Sequence, residues 1–184
     1  ALPSEIKERG LTIIEDCAYA AGTRIEGGKV GLVGDFAIYS LTKYYPIPFG
    51  GILVSRNPIN SYLITDQLTD GGIGFVKKCF KNSERKYKNW NQQRRTNWHY
   101  FSAQLEKNGL SSYFNLDATV VPGVFVARLP SGINGKLTKD HCVNAGIEST
   151  EYYGQGGFYF PVHQHLTNFE RDYVLHHFLN LGGL

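Results

Sequence analysis

The sequence predicts an α/β protein. Short strands come first, a long polar helical stretch follows, and a small α+β unit closes the chain. Three observations predict this. Apolar runs of strand length recur early, at Leu11 to Ile14, Phe36 to Tyr39 and Ile52 to Val54, separated by glycine-rich or polar residues. Phe75 to Asn108 contains neither glycine nor proline and is polar apart from spaced apolar points such as Phe75, Cys79, Trp90, Trp98, Phe101 and Leu105. Thr119 to Leu129, TVVPGVFVARL, is the most strand-like run of the second half. These divide the chain into residues 1–57, expected to form part of a mostly parallel sheet flanked by helices, a helical connector at 58–115, and an α+β unit at 116–184.

Taken in order, Pro3 to Arg9 is charged and opens with Pro-Ser, a helix-start signal closed by Gly10. The strand Leu11 to Ile14 ends in the acidic pair Glu15-Asp16. Glycines 22, 27, 28, 31 and 34 mark a turn-rich connection, GGKVGLVG, that matches neither a dinucleotide fingerprint nor a P-loop. Pro58 to Leu68 has helix-forming character that Gly71, Gly72 and Gly74 are expected to break. Leu137 to Ala145 reads as a short helix with Gly146 at its C-cap. Thr167-Asn168-Phe169-Glu170 is a capping-box signature, and Phe169, Val174, Phe178 and Leu179 are expected to form the apolar stripe of a last helix.

The chain of 184 residues is 42% hydrophobic and 19% charged, enough apolar content to bury a core and too little charge for a disordered chain. A net charge of +3 is too mild to imply a nucleic-acid or membrane partner. Cys17, Cys79 and Cys142 are odd in number and widely spaced, which argues against a disulfide framework or a zinc site and fits a reducing cytoplasm. No apolar run approaches the ~18 residues of a membrane span. The absence of methionine and the start close to an internal strand lead us to expect the later part of a longer protein.

The chemistry concentrates between Glu15 and Gly51. An aspartate at the end of one strand and a lysine just past another converge on one crevice if the strands run parallel, because open α/β sheets bind ligands at strand carboxyl ends. A lysine there has the chance of desolvation that turns an amine into a nucleophile. Taken singly, Asp16 reads as a cap or turn residue and Lys43 as a solvated loop lysine. Elsewhere, Lys77, Lys78, Lys81, Arg85, Lys86, Lys88, Arg94 and Arg95, interleaved with Tyr87 and Trp90, have the composition of a nucleic-acid surface, although a charge run on a helix ordinarily marks a solvated face. His163 and His165, and His176 and His177, lack the companions of a metal set, so no metal is expected. The aromatic cluster Tyr152, Tyr153, Phe158, Tyr159 and Phe160 reads as core.

Together IIEDCAYAAGT, GLVGDFAIYS, Lys43 and Gly50-Gly51 resemble the DegT-type sugar aminotransferases, over residues 11 to 55 most specifically. GIESTEYY and FPVHQHLTNFERDYV resemble the closing segment of that family. The resemblance implies the type I aminotransferase fold, namely part of the large-domain mixed sheet with a small α+β carboxyl-terminal domain. It implies pyridoxal 5′-phosphate as cofactor and amino transfer from an amino donor to a keto sugar, the sugar nucleotide-linked. It implies Lys43 as the Schiff-base lysine, Asp16 as the partner of the ring nitrogen, Ser40 as a phosphate ligand and Tyr19 beside the ring, where glutamine is usual. It also implies a homodimer or a complementing amino-terminal half. The serine-to-lysine spacing is shorter than in the common motif, and the asparagine-arginine segment that a partner subunit usually contributes is not found. A silent or fragmentary homologue acting as a binding partner is the second reading, and a basic nucleic-acid-binding module the third.

Overall fold

Alternation in the early apolar runs builds a sheet with two unlike faces. In the computed structural model, which describes residues 5–6, 8–25, 28–59, 69–152 and 156–180, strands β1 (Ile14–Asp16), β4 (Phe36–Ser40) and β5 (Gly51–Ser55) form a sheet in the order β1-β4-β5. β1 and β4 are parallel, with Asp16 opposite Ile38. β4 and β5 are antiparallel, with Ser40 opposite Gly51. The sheet is therefore mixed rather than mostly parallel. The segment 41–50 returns the chain directly to the neighbouring position, whereas a parallel return needs a crossover of about a dozen residues or more. Gly50 adopts φ +97°, and a Cβ on Gly51 would come within 2.9 Å of the Tyr39 carbonyl oxygen, so the pair is required by the turn. β2 (Arg24–Ile25) and β3 (Gly28–Lys29) form a minimal hairpin in the glycine-rich connection.

Chain packing groups Ala1–Asn89 with Thr119–Val121 as one unit and Trp90–Ala118 with Pro122–Leu184 as a second. In the first, the Glu15 carboxylate, on the opposite side of β1 from Asp16, accepts backbone N–H bonds from Gly31 at 3.0 Å, Val33 at 2.7 Å and Gly34. Charged acceptors make such bonds worth about 1.5–3 kcal/mol each at most, and the bonds are not additive. Glu15→Ala is expected to destabilise the protein by roughly 2–4 kcal/mol, read as a lower urea midpoint with unchanged m-value. An unchanged midpoint would show that the loop 31–34 holds itself.

Helix α1 (Asp70–Glu84) also belongs here. Gly71, Gly72 and Gly74, expected to end a helix over Pro58 to Leu68, lie in the first turns of α1, which Thr69 caps by accepting the Gly72 N–H at 3.2 Å. The helix expected from Pro58 to Leu68 falls largely outside the described residues, as do parts of the one at Pro3 to Arg9.

The second unit carries most of helix α2 (Tyr87–Lys107), an antiparallel sheet in the order β6-β8-β7 (Val124–Arg128, Gly157–Pro161, Thr150–Tyr152), and helices α3 (Gly135–Asn144) and α4 (Asn168–Leu179). The register Phe125↔Phe160 and Ala127↔Phe158 puts those four side chains on one face. Trp98, Phe101 and Leu105 of α2, Cys142 of α3 and Val174, Leu175 and Phe178 of α4 close over it. Helix α3 starts two residues earlier than expected, with Asn134 as its N-cap, and Gly146, at φ +77°, ends it with the Ile147 N–H donating to the Cys142 carbonyl at 2.8 Å. The expected capping box at Thr167 and Glu170 is present. Phe169, however, is 76% exposed and Leu175 takes its place in the core. Five positions separate Phe169 from Val174, which turns the helix about 140° away from the buried side. Phe158 and Phe160 are core as expected, Tyr152 packs with Tyr113 and Phe114, and Tyr153 lies outside the described residues.

Candidate active site

Because β1 and β4 run side by side in the same direction, their carboxyl ends share one edge of the sheet. Asp16 stands in register with Ile38, and Ser40 lies two positions further along β4, so all three project to one face. Strand spacing and rise put the Asp16 and Ser40 Cα atoms roughly 8 Å apart. This face is open within its unit, with Ile14 61%, Ile38 47% and Leu53 52% exposed.

Asp16 is exposed, and its Oδ1 accepts the Ala18 N–H at 3.0 Å, which anchors the carboxylate at the strand end. Ser40 Oγ lies 3.0 Å from Thr42 Oγ1, which makes a pair of hydroxyls just before Lys43. Lys43 Nζ sits 5.0 Å from the centroid of the Tyr19 ring, a cation–π distance that brings together two residues singled out from the sequence. The lysine loop is pinned on both sides. Leu41 and Tyr44 are buried, and the Tyr44 hydroxyl donates to the carbonyls of Tyr19 and, at 3.3 Å, Val121. The same tyrosine thus ties the Lys43 loop to the Tyr19 turn.

Sequence reasoning missed Thr42 and Tyr44. The Ser-x-Thr spacing was the available signal for the first, and nothing local marks the second. Cys17, next to Asp16, is no rival nucleophile: it is buried, and burial followed by the Glu15 charge pushes its thiol up, away from the reactive thiolate. Tyr39, on the face away from Asp16, is pushed up to about 12 by burial first and Cys17 second, and its hydroxyl donates to the Val30 carbonyl. That side of β4 is structural.

A carboxylate, a hydroxyl pair and a primary amine at one sheet edge suit a group that bears a protonated ring nitrogen, a phosphate and an aldehyde. The other sequence candidates do not converge in this way. His165 donates its backbone N–H to His163 Nδ1 at 3.3 Å, and burial, then Arg94, pushes the His163 imidazole down. Among the described residues no group of three or more His, Cys, Asp or Glu is arranged to hold a metal. Lys77, Lys78, Lys81, Arg85, Lys86 and Lys88 are solvated, but Arg94 is only 3% exposed, its Nε donating to Gln164 Oε1 at 2.8 Å, and Tyr87 stacks on Tyr45. The basic run is thus not one continuous binding surface. No helix among the described residues is long and apolar enough to cross a membrane.

Residues 4–77 match the DegT/DnrJ/EryC1/StrS aminotransferase family. A stretch of 54 residues, 28% of this chain and 15% of the relative, is 44% identical to GDP-perosamine synthase of Vibrio cholerae. The fold is that of aminotransferase TlmJ from Streptoalloteichus hindustanus, with a TM-score of 0.69 at 18% identity over 96% of this chain and 60% of that one. It is also that of the Escherichia coli GDP-4-keto-6-deoxy-D-mannose-3-dehydratase solved with bound hydrated PLP, with a TM-score of 0.66 at 15% identity over 96% of this chain and 62% of that one. The chain therefore spans about three fifths of these solved structures, and its match spans less than one fifth of the curated relative.

Proposed function

We propose that the protein is an aminotransferase of the DegT/DnrJ/EryC1/StrS type, the family that residues 4–77 match, and that it transfers an amino group from an amino donor to a keto sugar that is nucleotide-linked, using pyridoxal 5′-phosphate. The observation that carries the reading is the convergence of Asp16, Ser40 and the Tyr19–Lys43 pair at one sheet edge. When bound, the cofactor supplies an electron sink through its protonated ring. Asp16 would accept the hydrogen bond of the ring N–H and keep that proton in place. Ser40, with Thr42 beside it, would donate hydroxyl hydrogen bonds to the phosphate. Lys43 would hold the aldehyde and, when the donor's amine takes its place there, its Nζ would take a proton from the amino-bearing carbon of the donor and return one during transfer. Tyr19 lies against that amine and orients it.

A second copy of the chain completing the site, and a cytoplasmic setting in which Cys17, Cys79 and Cys142 stay free thiols, are part of this proposal. The test is to add pyridoxal 5′-phosphate to the protein, follow visible absorbance, then supply an amino donor and a nucleotide-linked keto sugar and look for the amino sugar by mass. Residues 1–184 alone are expected to be incomplete as an enzyme, and a yellow species and an amino sugar are expected once a complementing amino-terminal half or partner copy is supplied. A completed assembly that stays colourless and yields no product would reject catalysis and leave a silent homologue that acts by binding.

A further inference from the structure

We propose that His141 and His177 form a two-histidine site for a late first-row divalent cation such as Zn²⁺, Ni²⁺ or Cu²⁺, which would clip helix α3 to helix α4. His141 Nε2 and His177 Nδ1 lie 3.2 Å apart, on residues 36 positions apart in sequence. Two imidazole nitrogens, each about 2.05 Å from one cation, stand about 2.9 Å apart at a right angle and about 3.4 Å apart at the tetrahedral angle. The observed separation falls inside that bite, so ligation needs side-chain rotation and no movement of the helices. The rings, with centroids 5.2 Å apart and planes tilted 49°, do not stack and leave their edges turned toward each other.

The backbone beneath the pair is fixed. Cys142 and Phe178, the residues next to each histidine, are both buried in one core. Tyr173 packs against the His177 ring at 4.5 Å while its hydroxyl donates to the Ala145 carbonyl at 3.1 Å, just past the end of α3. It therefore limits the rotation of the His177 ring from the side, as outer partners of metal-binding histidines do. His141 is exposed and His177 half-buried, so a hydrated ion reaches the pair from solvent and keeps water in its remaining positions. The nitrogen–nitrogen contact already makes one ring the acceptor, with a lone pair on offer. The donor ring needs only its other tautomer, so ligation by two neutral imidazoles leaves the charge of each unchanged. Imidazole pairs suit zinc, nickel and copper and not magnesium or calcium, which prefer oxygen. The site lies wholly in the second unit and does not depend on the reading of the Lys43 site.

Titration of the protein with Zn²⁺ and Ni²⁺ by calorimetry, and an electron paramagnetic resonance spectrum with Cu²⁺, test it. One ion per chain is expected, with copper coupled to two nitrogens. His141→Ala and His177→Ala should each weaken binding by about tenfold or more and reduce the coupling to one nitrogen. His176→Ala should leave both readouts unchanged. Circular dichroism of the metal-free variants checks that α3 and α4 remain formed, and His141→Gln serves where alanine disturbs the helix. Binding that survives both single alanine variants, or that is lost in His176→Ala instead, would overturn the assignment, as would a preference for Mg²⁺.

Discussion

Lys43→Ala is expected to abolish together the visible-absorbing species formed with pyridoxal 5′-phosphate and all measurable amino transfer. In the proposed reaction the amine that holds the aldehyde and the group that moves the proton are the same atom, so one substitution removes both roles. Proton transfer by a positioned side chain is worth about 10²- to 10⁴-fold by itself, and the loss of covalent attachment adds to that. The loop has supports other than this side chain. Lys43 is exposed, and its loop is held by buried Leu41 and Tyr44, by the Tyr44 hydroxyl on the Tyr19 and Val121 carbonyls and by the Leu41 N–H on the Gly50 carbonyl at 3.1 Å. Thermal unfolding of the variant should therefore match the parent while both functional signals vanish. A variant that keeps the absorbing species would show that another amine carries the cofactor.

Asp16→Asn is expected to leave the cofactor bound and to lower kcat by roughly 10²- to 10³-fold, the usual cost of removing one preorganised electrostatic partner of a transition state. The substitution is nearly isosteric, and an asparagine oxygen can accept the Ala18 N–H bond that Asp16 Oδ1 accepts now, so the strand end keeps its shape. In the proposed site the substitution removes the negative charge that would face the ring nitrogen, and with it the proton that makes the ring an electron sink. Cofactor affinity within a few-fold of the parent and a depressed kcat are the signature. A variant with unchanged kcat would remove Asp16 from the chemistry.

Much of this site was legible because its parts are short-range. Asp16 and Ser40 each end an apolar run, and the order aspartate, serine, lysine, glycine pair follows the strands on which they sit. Strand direction was not legible, since an apolar run reads the same in either sense; the antiparallel β4–β5 pairing is imposed by the direct return through segment 41–50. The open face of the sheet was not legible either, because Ile14, Ile38 and Leu53 carry the same apolar signal whether covered or exposed. Capping chemistry was readable at Thr167, where one side chain and one backbone group three residues on suffice, but glycines 71, 72 and 74 masked the start of α1 because Thr69 supplies the helix start that the glycines lack. Arg94 looked like one more surface cation, and only the tertiary fold brings Gln164 to it. The His141–His177 contact is long-range in the same way.

The most direct test of the Lys43 assignment is borohydride reduction of the protein with pyridoxal 5′-phosphate, followed by proteolysis and mass spectrometry. The pyridoxyl group is expected on the peptide that contains Lys43. A pyridoxyl group on Lys29, Lys136 or any other lysine, or no adduct on any peptide, would contradict it.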